Sequence, residues 1–231
     1  MRVYPVVHIN NHESAVDQAE LALELGADGV YLIDHKAVDD QLLFDVFNDL
    51  DAAKPNSYIG MNLLGLSPLN AMKSIEHAIQ SGDLSRTPNG LWADDATRES
   101  QPGEVMAYKN SHDALHQMRY LGGVAFKYTA TFTEDPRLAS EQVALLRDRV
   151  DVVTTSGMGT GKPPTRAKMA AMKTTVGDTL AVASGISYEN IRDYAGLVDE
   201  TLVASSVETA PYSGIFDRSK LEAFIAAAHD L

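Results

Sequence analysis

The sequence predicts a single α/β domain, residues 1–231, folded as a (β/α)8 TIM barrel. Three observations predict it. Eight short apolar runs end in small or polar residues, and buried parallel strands read as such continuous runs. Segments with helical periodicity separate them, as crossover connections between parallel strands require. The chain has 231 residues, enough for eight such units, and shows no linker.

Strand one reads Val3-Tyr4-Pro5-Val6-Val7-His8. Helix one lies near 12–25, with Val16, Ala19, Leu23 and Ala27 at core spacing and Gly26 where a helix stops. Strand two is Gly29 to Asp34, helix two lies near 38–53, and strand three is Tyr58 to Asn62. Ser67-Pro68 places a cap before a first-turn proline, so helix three spans 68–81 and ends at Gly82. Strand four is Gly90 to Asp95, helix four lies near 104–119, and strand five is Val124-Ala125-Phe126-Lys127. Asp135-Pro136 opens helix five, near 136–149, by the same cap logic. Strand six is Val152 to Gly157, and helix six, near 165–176, carries Met169 and Met172 as core filler. Strand seven is Leu180 to Gly185. Ser187 caps a helix near 188–196, strand eight is Leu202 to Ser206, and Asp217 caps the last helix, 217–229. Residues 96–103 and 157–164 are longer than packing requires. In this fold they lie on the catalytic face, where long loops serve as lids.

Nineteen basic residues against 32 acidic ones give a net charge of −13. Such a surface repels phosphate backbones, which argues against a nucleic-acid partner; solubility is its plainer meaning. The chain has no cysteine, so disulfides, thiolate ligands and cysteine nucleophiles are excluded. That composition fits a reducing, cytoplasmic setting. The start of the chain lacks a signal peptide's apolar core, and no apolar run reaches bilayer length, so membrane insertion is not expected.

A barrel of this kind carries its chemistry at the carboxyl ends of the strands. There stand His8, Asp34, Asn62, Asp94 and Lys127, the candidate catalytic set, with Asn10, Asn11, His35 and Asp95 beside them. Each has a structural alternative: a core histidine bonded to backbone for His8, backbone satisfaction for Asn62, a helix cap or a Lys36 pair for Asp34. Strand side chains alternate, so one of Asp94 and Asp95 faces away from the axis. Lys127 is suited to hold a phosphate or carboxylate, to pair with Asp94 or Asp34, or to form a Schiff base.

The loop Ser156-Gly157-Met158-Gly159-Thr160-Gly161-Lys162 fails the Walker A spacing, because Ser156 takes the first glycine place and Pro163 follows the lysine. It is an anion-friendly loop with free backbone, or else a glycine-rich turn feeding a helix. Ser184-Gly185 and Ser205-Ser206 end strands seven and eight, where barrels hold phosphate with backbone N–H groups and a helix N-terminus. The candidate phosphate set is Gly157, Gly159, Thr160, Gly161, Ser184, Gly185, Ser205 and Ser206. His112 and His116 have i, i+4 spacing, but Asp113 stands where the zincin motif needs Glu, so a solvated helix face is the better reading and no metal site is assigned. The sequence assigns no certain cofactor; Asp34, Asp94 and Asp95 could hold Mg²⁺ together with a substrate diphosphate.

Ser156-Gly157-x-Gly159-Thr160-Gly161, Ala183-Ser184-Gly185-Ile186 with Glu189-Asn190, and Val203-Ala204-Ser205-Ser206 resemble the BtpA family of TIM barrels, as do Val7-His8 and Gly60-Met61-Asn62-Leu63-Leu64. The likeness covers most of the chain in order. Trp92-Ala93-Asp94-Asp95 and the region after strand eight depart from it. Ser184-Gly185-Ile186 is also similar to the phosphate loops of isomerases and synthases of the tryptophan, histidine and thiamine pathways. The resemblance implies a barrel and, from some members, a role in photosystem I biogenesis.

Taken together, the residues lead to an enzyme acting on a small phosphorylated metabolite, a sugar phosphate or nucleotide. With carboxylates and no thiol, phosphoribosyl or other glycosyl transfer fits best, since carboxylates stabilise an oxocarbenium-like transition state. Two alternatives stand beside it: a Schiff-base lyase using Lys127, and a non-catalytic assembly factor with a large exposed apolar patch and a degenerate strand-end pocket. Phe44 and Phe47, if on an outer helix face, favour a homo-oligomer.

Overall fold

The structure is a computed structural model that describes residues 1–36, 40–98, 101–210 and 213–231. Its elements in chain order are β1 (Arg2–His8), α1 (His12–Glu24), β2 (Val30–Ile33), α2 (Gln41–Ala53), β3 (Ile59–Asn62), α3 (Pro68–Ser81), β4 (Gly90–Ala93) and α4 (Pro102–Ser111). There follow β5 (Arg119–Gly123), α5 (Pro136–Leu146), β6 (Val152–Thr155), α6 (Arg166–Val176), β7 (Leu180–Ala183), β8 (Glu200–Val203) and α7 (Arg218–His229). Each strand pairs in parallel with the next, and β8 pairs with β1, which closes the barrel. Among the described residues, no helix is long and apolar enough to cross a membrane.

The caps form as the residues require. Ser67 accepts from Asn70 N–H, Asp135 from Arg137 and Leu138 N–H, and Asp217 from Ser219 and Lys220 N–H. Gly82 takes a left-handed φ of 87° to end α3.

Two apolar clusters organise the interior. One lies between strands and helices and takes in Phe44, Phe47, Met169 and Met172. Phe44 and Phe47 are therefore core, and they offer no surface to an oligomer. The other fills the barrel itself, with Tyr4, Tyr31, Trp92, Leu121 and Leu202 among its members. A Cβ on Gly60 would overlap the Tyr31 ring, and one on Gly90 would overlap the Tyr31 and Tyr58 hydroxyls, so two glycines make room for the aromatic plug. At the amino end of the strands the fully buried Glu200 pairs with Arg2 and Arg119.

Four expected elements differ. The expected helix 104–119 ends at Ser111, and β5 is Arg119–Gly123 rather than 124–127. Lys127 thus stands in the loop after β5. The cause is close packing: a Cβ on Gly123 would overlap the Asp94 carbonyl and one on Gly122 the Val150 side chain, so glycines of low strand propensity are what this strand needs. Strand eight begins at Glu200, and Ser205 and Ser206 lie in a turn beyond it. The expected helix 188–196 is only a 3₁₀ turn, Ile191–Tyr194, because Asn190 folds back, accepting from Ser187 N–H and donating to Gly185 O at 2.9 Å each.

Candidate active site at the carboxyl ends of the strands

A cavity of about 370 Å³ opens between the ends of β3, β4 and β5, lined by Asn62, Trp92, Asp94, Lys127 and Tyr128 among others. Asn62 ends β3 and is buried; its Nδ2 donates to Asp94 Oδ1 at 3.2 Å. Burial raises the Asp94 carboxyl above its ordinary value, while Lys127 and Asn62 pull it back. Asp95 lines the same cavity, and its Oδ1 accepts from the Thr97 N–H and hydroxyl at 2.8 and 2.7 Å. Both lie beyond the end of β4 at Ala93, where strand alternation no longer sets their directions. Trp92 is buried, and its Nε1, itself closed off from solvent, has no hydrogen-bond partner among the described residues.

Lys127 is presented by a strained segment. Ala125 and Tyr128 take φ values of 48° and 62°, a region costly for side chains. The Lys127 N–H donates to Ser156 Oγ at 2.8 Å, and its ammonium donates to Thr160 Oγ1 at 3.3 Å. Burial lowers the amine's pKa; Asp94 raises it. Among the described residues Lys127 makes no ion pair within 4 Å with Asp94 or Asp34. Beneath it, the fully buried Lys168 of α6 donates to Ala125 O and Ser156 O at 2.8 and 2.7 Å, binding the Lys127 segment to the glycine-rich loop. Sequence reading missed Lys168, since a lysine near a helix start reads as solvated.

Across the mouth stand β1, β2 and the segment after β8. His8 ends β1, its Nδ1 3.2 Å from Oε1 of the buried Glu208. The His35 ring meets His8 edge-on at 4.9 Å. His35 is exposed at the rim yet partly desolvated; this, with the charges of His8 and Lys127, lowers its imidazole pKa. Asp34 is buried, and its Oδ1 accepts from Lys36 N–H at 2.8 Å, so part of its role is to shape that turn.

The glycine-rich loop is a closed turn rather than an open cradle. Gly159 and Lys162 bridge, Thr160 N–H donates to Tyr128 Oη at 3.2 Å, and Gly161 N–H donates to Ser184 Oγ at 3.1 Å. Gly157 is obligatory, since a Cβ there would overlap the Lys162 carbonyl. Ser184 and Gly185 turn the chain at φ 92° and 83°. Ser206 Oγ donates to Ile186 O at 2.8 Å, tying the ends of β7 and β8 together. The N–H groups of Gly185, Ile186, Ser205 and Ser206 make no hydrogen bond among the described residues. The helix N-terminus expected after β7 is absent, so any anion there rests on turn amides and hydroxyls.

Among the described residues no three His, Asp or Glu side chains are arranged to hold a metal, and Asp34, Asp94 and Asp95 form no such group. His112 lies at the end of α4, stacked on Tyr108 and bonded to its carbonyl at 2.7 Å; His116 lies beyond the helix, so the i, i+4 face does not form. Within the expected loop 96–103, Glu99 and Ser100 lie outside the described residues.

A family model described as the BtpA family matches residues 60–230, a span that begins after His8 and His35. No curated protein gives a significant match. Among solved structures, N-(5'-phosphoribosyl)anthranilate isomerase from Pyrococcus furiosus is 13% identical, with a TM-score of 0.68 over 100% of both chains. Phosphoribosyl anthranilate isomerase from Thermotoga maritima is 17% identical, with a TM-score of 0.67 over 99% of this chain and 100% of that one. A structure of such an isomerase with reduced 1-(o-carboxyphenylamino)-1-deoxyribulose 5-phosphate is 16% identical, with a TM-score of 0.66 over 100% of both chains. At these identities the likeness is one of fold.

Proposed function

The chain belongs to the BtpA family, and from that premise we propose that it is an enzyme acting by acid–base chemistry on a small phosphorylated metabolite, a sugar phosphate or nucleotide. The observation that carries the reading is the set of unpartnered N–H groups at Gly185, Ile186, Ser205 and Ser206, at the ends of the paired strands β7 and β8. Amides without protein partners at that place suit a phosphate's oxygens, and the Ser184 and Ser205 hydroxyls add donors without filling the space. The named neighbours support it: they are phosphoribosyl isomerases, and one holds a deoxyribulose phosphate.

The reacting end then lies over Asn62, Asp94 and Lys127. Burial moves the Asp94 carboxyl toward the range of a proton donor, and Lys127 beside it suits an anion. Glycosyl transfer at a ribose phosphate fits this set, with Asp94 serving the leaving group and stabilising positive charge at the sugar carbon. A mouth dense in polar groups argues against the assembly-factor reading, which requires a degenerate pocket. Lowering of the Lys127 amine favours Schiff-base chemistry as a second reading. Borohydride with a carbonyl substrate would trap Lys127 as a mass adduct under that reading only.

The test is thermal melting against phosphorylated sugars, nucleotides and inorganic phosphate, with and without Mg²⁺. A ligand at a hundred times its Kd adds about 2.7 kcal/mol, a shift of roughly 5–10 °C for a chain of this size. Ser205→Asp sets a carboxylate among the amides and abolishes it. No shift with any member of the panel sinks the phosphate reading.

A further inference from the structure

Glu208 is a buried carboxylate that the reading above leaves unused. It is 1% exposed, in the segment after β8, where it bridges to Phe216. Lys220 donates to its backbone carbonyl at 2.8 Å rather than to its carboxylate. Neither Oε1 nor Oε2 has a hydrogen-bond partner among the described residues. A buried charge left in that condition is costly, so the group must find a donor or a counter-charge. Among the described residues the basic group in ion-pair range is His8, whose Nδ1 lies 3.2 Å from Oε1, close enough for a small rotation to align the bond. His8 itself keeps 16% of its side chain open to solvent.

We propose that Glu208 is a positioning residue for His8: it holds the imidazole in the Nδ1–H tautomer and leaves Nε2 as the site's proton acceptor. An imidazole whose Nδ1 serves a carboxylate has one remaining basic nitrogen, and the carboxylate stabilises the imidazolium formed when that nitrogen is protonated. His35 stands edge-on to His8; desolvation first, then His8 and Lys127, lower its pKa, while Asp34 and Glu208 pull it back up. Its ring makes no ion pair with Glu208 among the described residues, so His8 is the imidazole within reach of that carboxylate. The mouth thereby gains a base on the β1 and β8 side, facing the acid Asp94 on the β4 side.

The step it serves rests on the phosphorylated-substrate reading. The O–H bond of the attacking hydroxyl breaks, its electron pair stays on oxygen to form the new bond to the sugar carbon, and the proton moves to Nε2. The carbon's bond to the leaving group breaks, its electron pair leaving with that group, which takes a proton from the Asp94 side. The proton on Nε2 passes to solvent when product leaves, which restores the neutral ring.

The tautomer needs no substrate to be measured. Long-range proton–nitrogen spectra of the ¹⁵N-histidine-labelled protein at neutral pH, with His8 assigned by the peak lost in His8→Gln, should show a protonated Nδ1 and an unprotonated Nε2. Glu208→Leu should return His8 to the Nε2–H form, while Glu208→Gln, which keeps an acceptor oxygen and the shape, should hold Nδ1–H. A wild-type His8 in the Nε2–H form overturns the proposal, even if Glu208→Leu fails to fold. With a turned-over substrate, Glu208→Gln should cut kcat roughly 10- to 100-fold and leave KM and the ligand-induced melting shift unchanged; an unchanged kcat also overturns it. A panel without any melting shift sinks the phosphate reading and leaves the tautomer result standing.

Discussion

Lys168 gives a direct test of how the mouth is held. Its side chain is fully buried, and its ammonium ties Ala125 O to Ser156 O, the chain before Lys127 to the root of the glycine-rich loop. Burial pushes the amine down from its ordinary 10.5 to about 8, against the pull of Glu134. Between those values the unfolded chain keeps a proton that the folded chain has shed. Stability therefore rises with pH through that window, is fully gained above 10.5, and is lost as pH falls through 8. At about 1.4 kcal/mol per pH unit the whole effect is roughly 3 kcal/mol. Lys168→Met keeps the side-chain volume and removes the titration. Urea denaturation of both proteins from pH 7 to 10 should show wild type gaining on the variant above pH 8, with most of that amount reached by pH 10. At pH 7 the variant strands two carbonyls, at about 1–3 kcal/mol each, but also removes a costly buried charge. The slope rather than the gap at one pH is decisive. A gap that does not change with pH would refute the placing of a desolvated ammonium between those carbonyls.

Two further predictions concern the same face. The Asp94 carboxyl is raised by burial, so its contribution to stability is present below its ordinary 3.8 and lost as pH rises through the folded value. Melting curves should therefore show Asp94→Asn gaining on wild type between pH 4 and pH 7, while turnover of any substrate found falls roughly 10²- to 10⁴-fold. In Gly123→Ala the new methyl meets the Asp94 backbone, which is not free to swing aside; a loss of about 1–3 kcal/mol in chemical denaturation is expected, and a neutral result would mean that β5 sits farther from β4.

Most strands were legible because a buried parallel strand has no polar side to hide behind: Tyr31 to Ile33 and Leu180 to Ala183 are apolar throughout. β5 was not, since Arg119 pairs with a carboxylate 81 residues away and Gly122 and Gly123 are chosen by neighbours rather than by strand propensity. Glu200 hid the start of β8 for the same reason. His8, Asp34, Asn62 and Asp94 could be placed at the mouth because the ends of apolar runs mark that face. What could not be read was pairing. Glu208 meets His8 across 200 positions, and Lys168 reaches its carbonyls from a helix on the outside of the barrel.

Strain is unevenly placed. The described non-glycine residues at positive φ are Asn56, Ala125, Tyr128 and Ser184. Asn56 sits in the turn before β3, where asparagine tolerates that conformation. Alanine, tyrosine and serine tolerate it poorly, at about 1–3 kcal/mol each, and persist there only when neighbours over-determine them. All three stand at the carboxyl end of the barrel and are held: Ala125 by Gln142 and Lys168, Tyr128 by Thr160, Ser184 by Leu202 and Gly161. The opposite end is closed by tyrosines and by Glu200 with its two arginines, which need no such conformations. A fold stabilising itself alone has no reason to concentrate strain at one rim. Strain at the rim that carries Lys127 and Ser184 is what a preorganised site requires, because a site's groups must hold their positions before any ligand arrives.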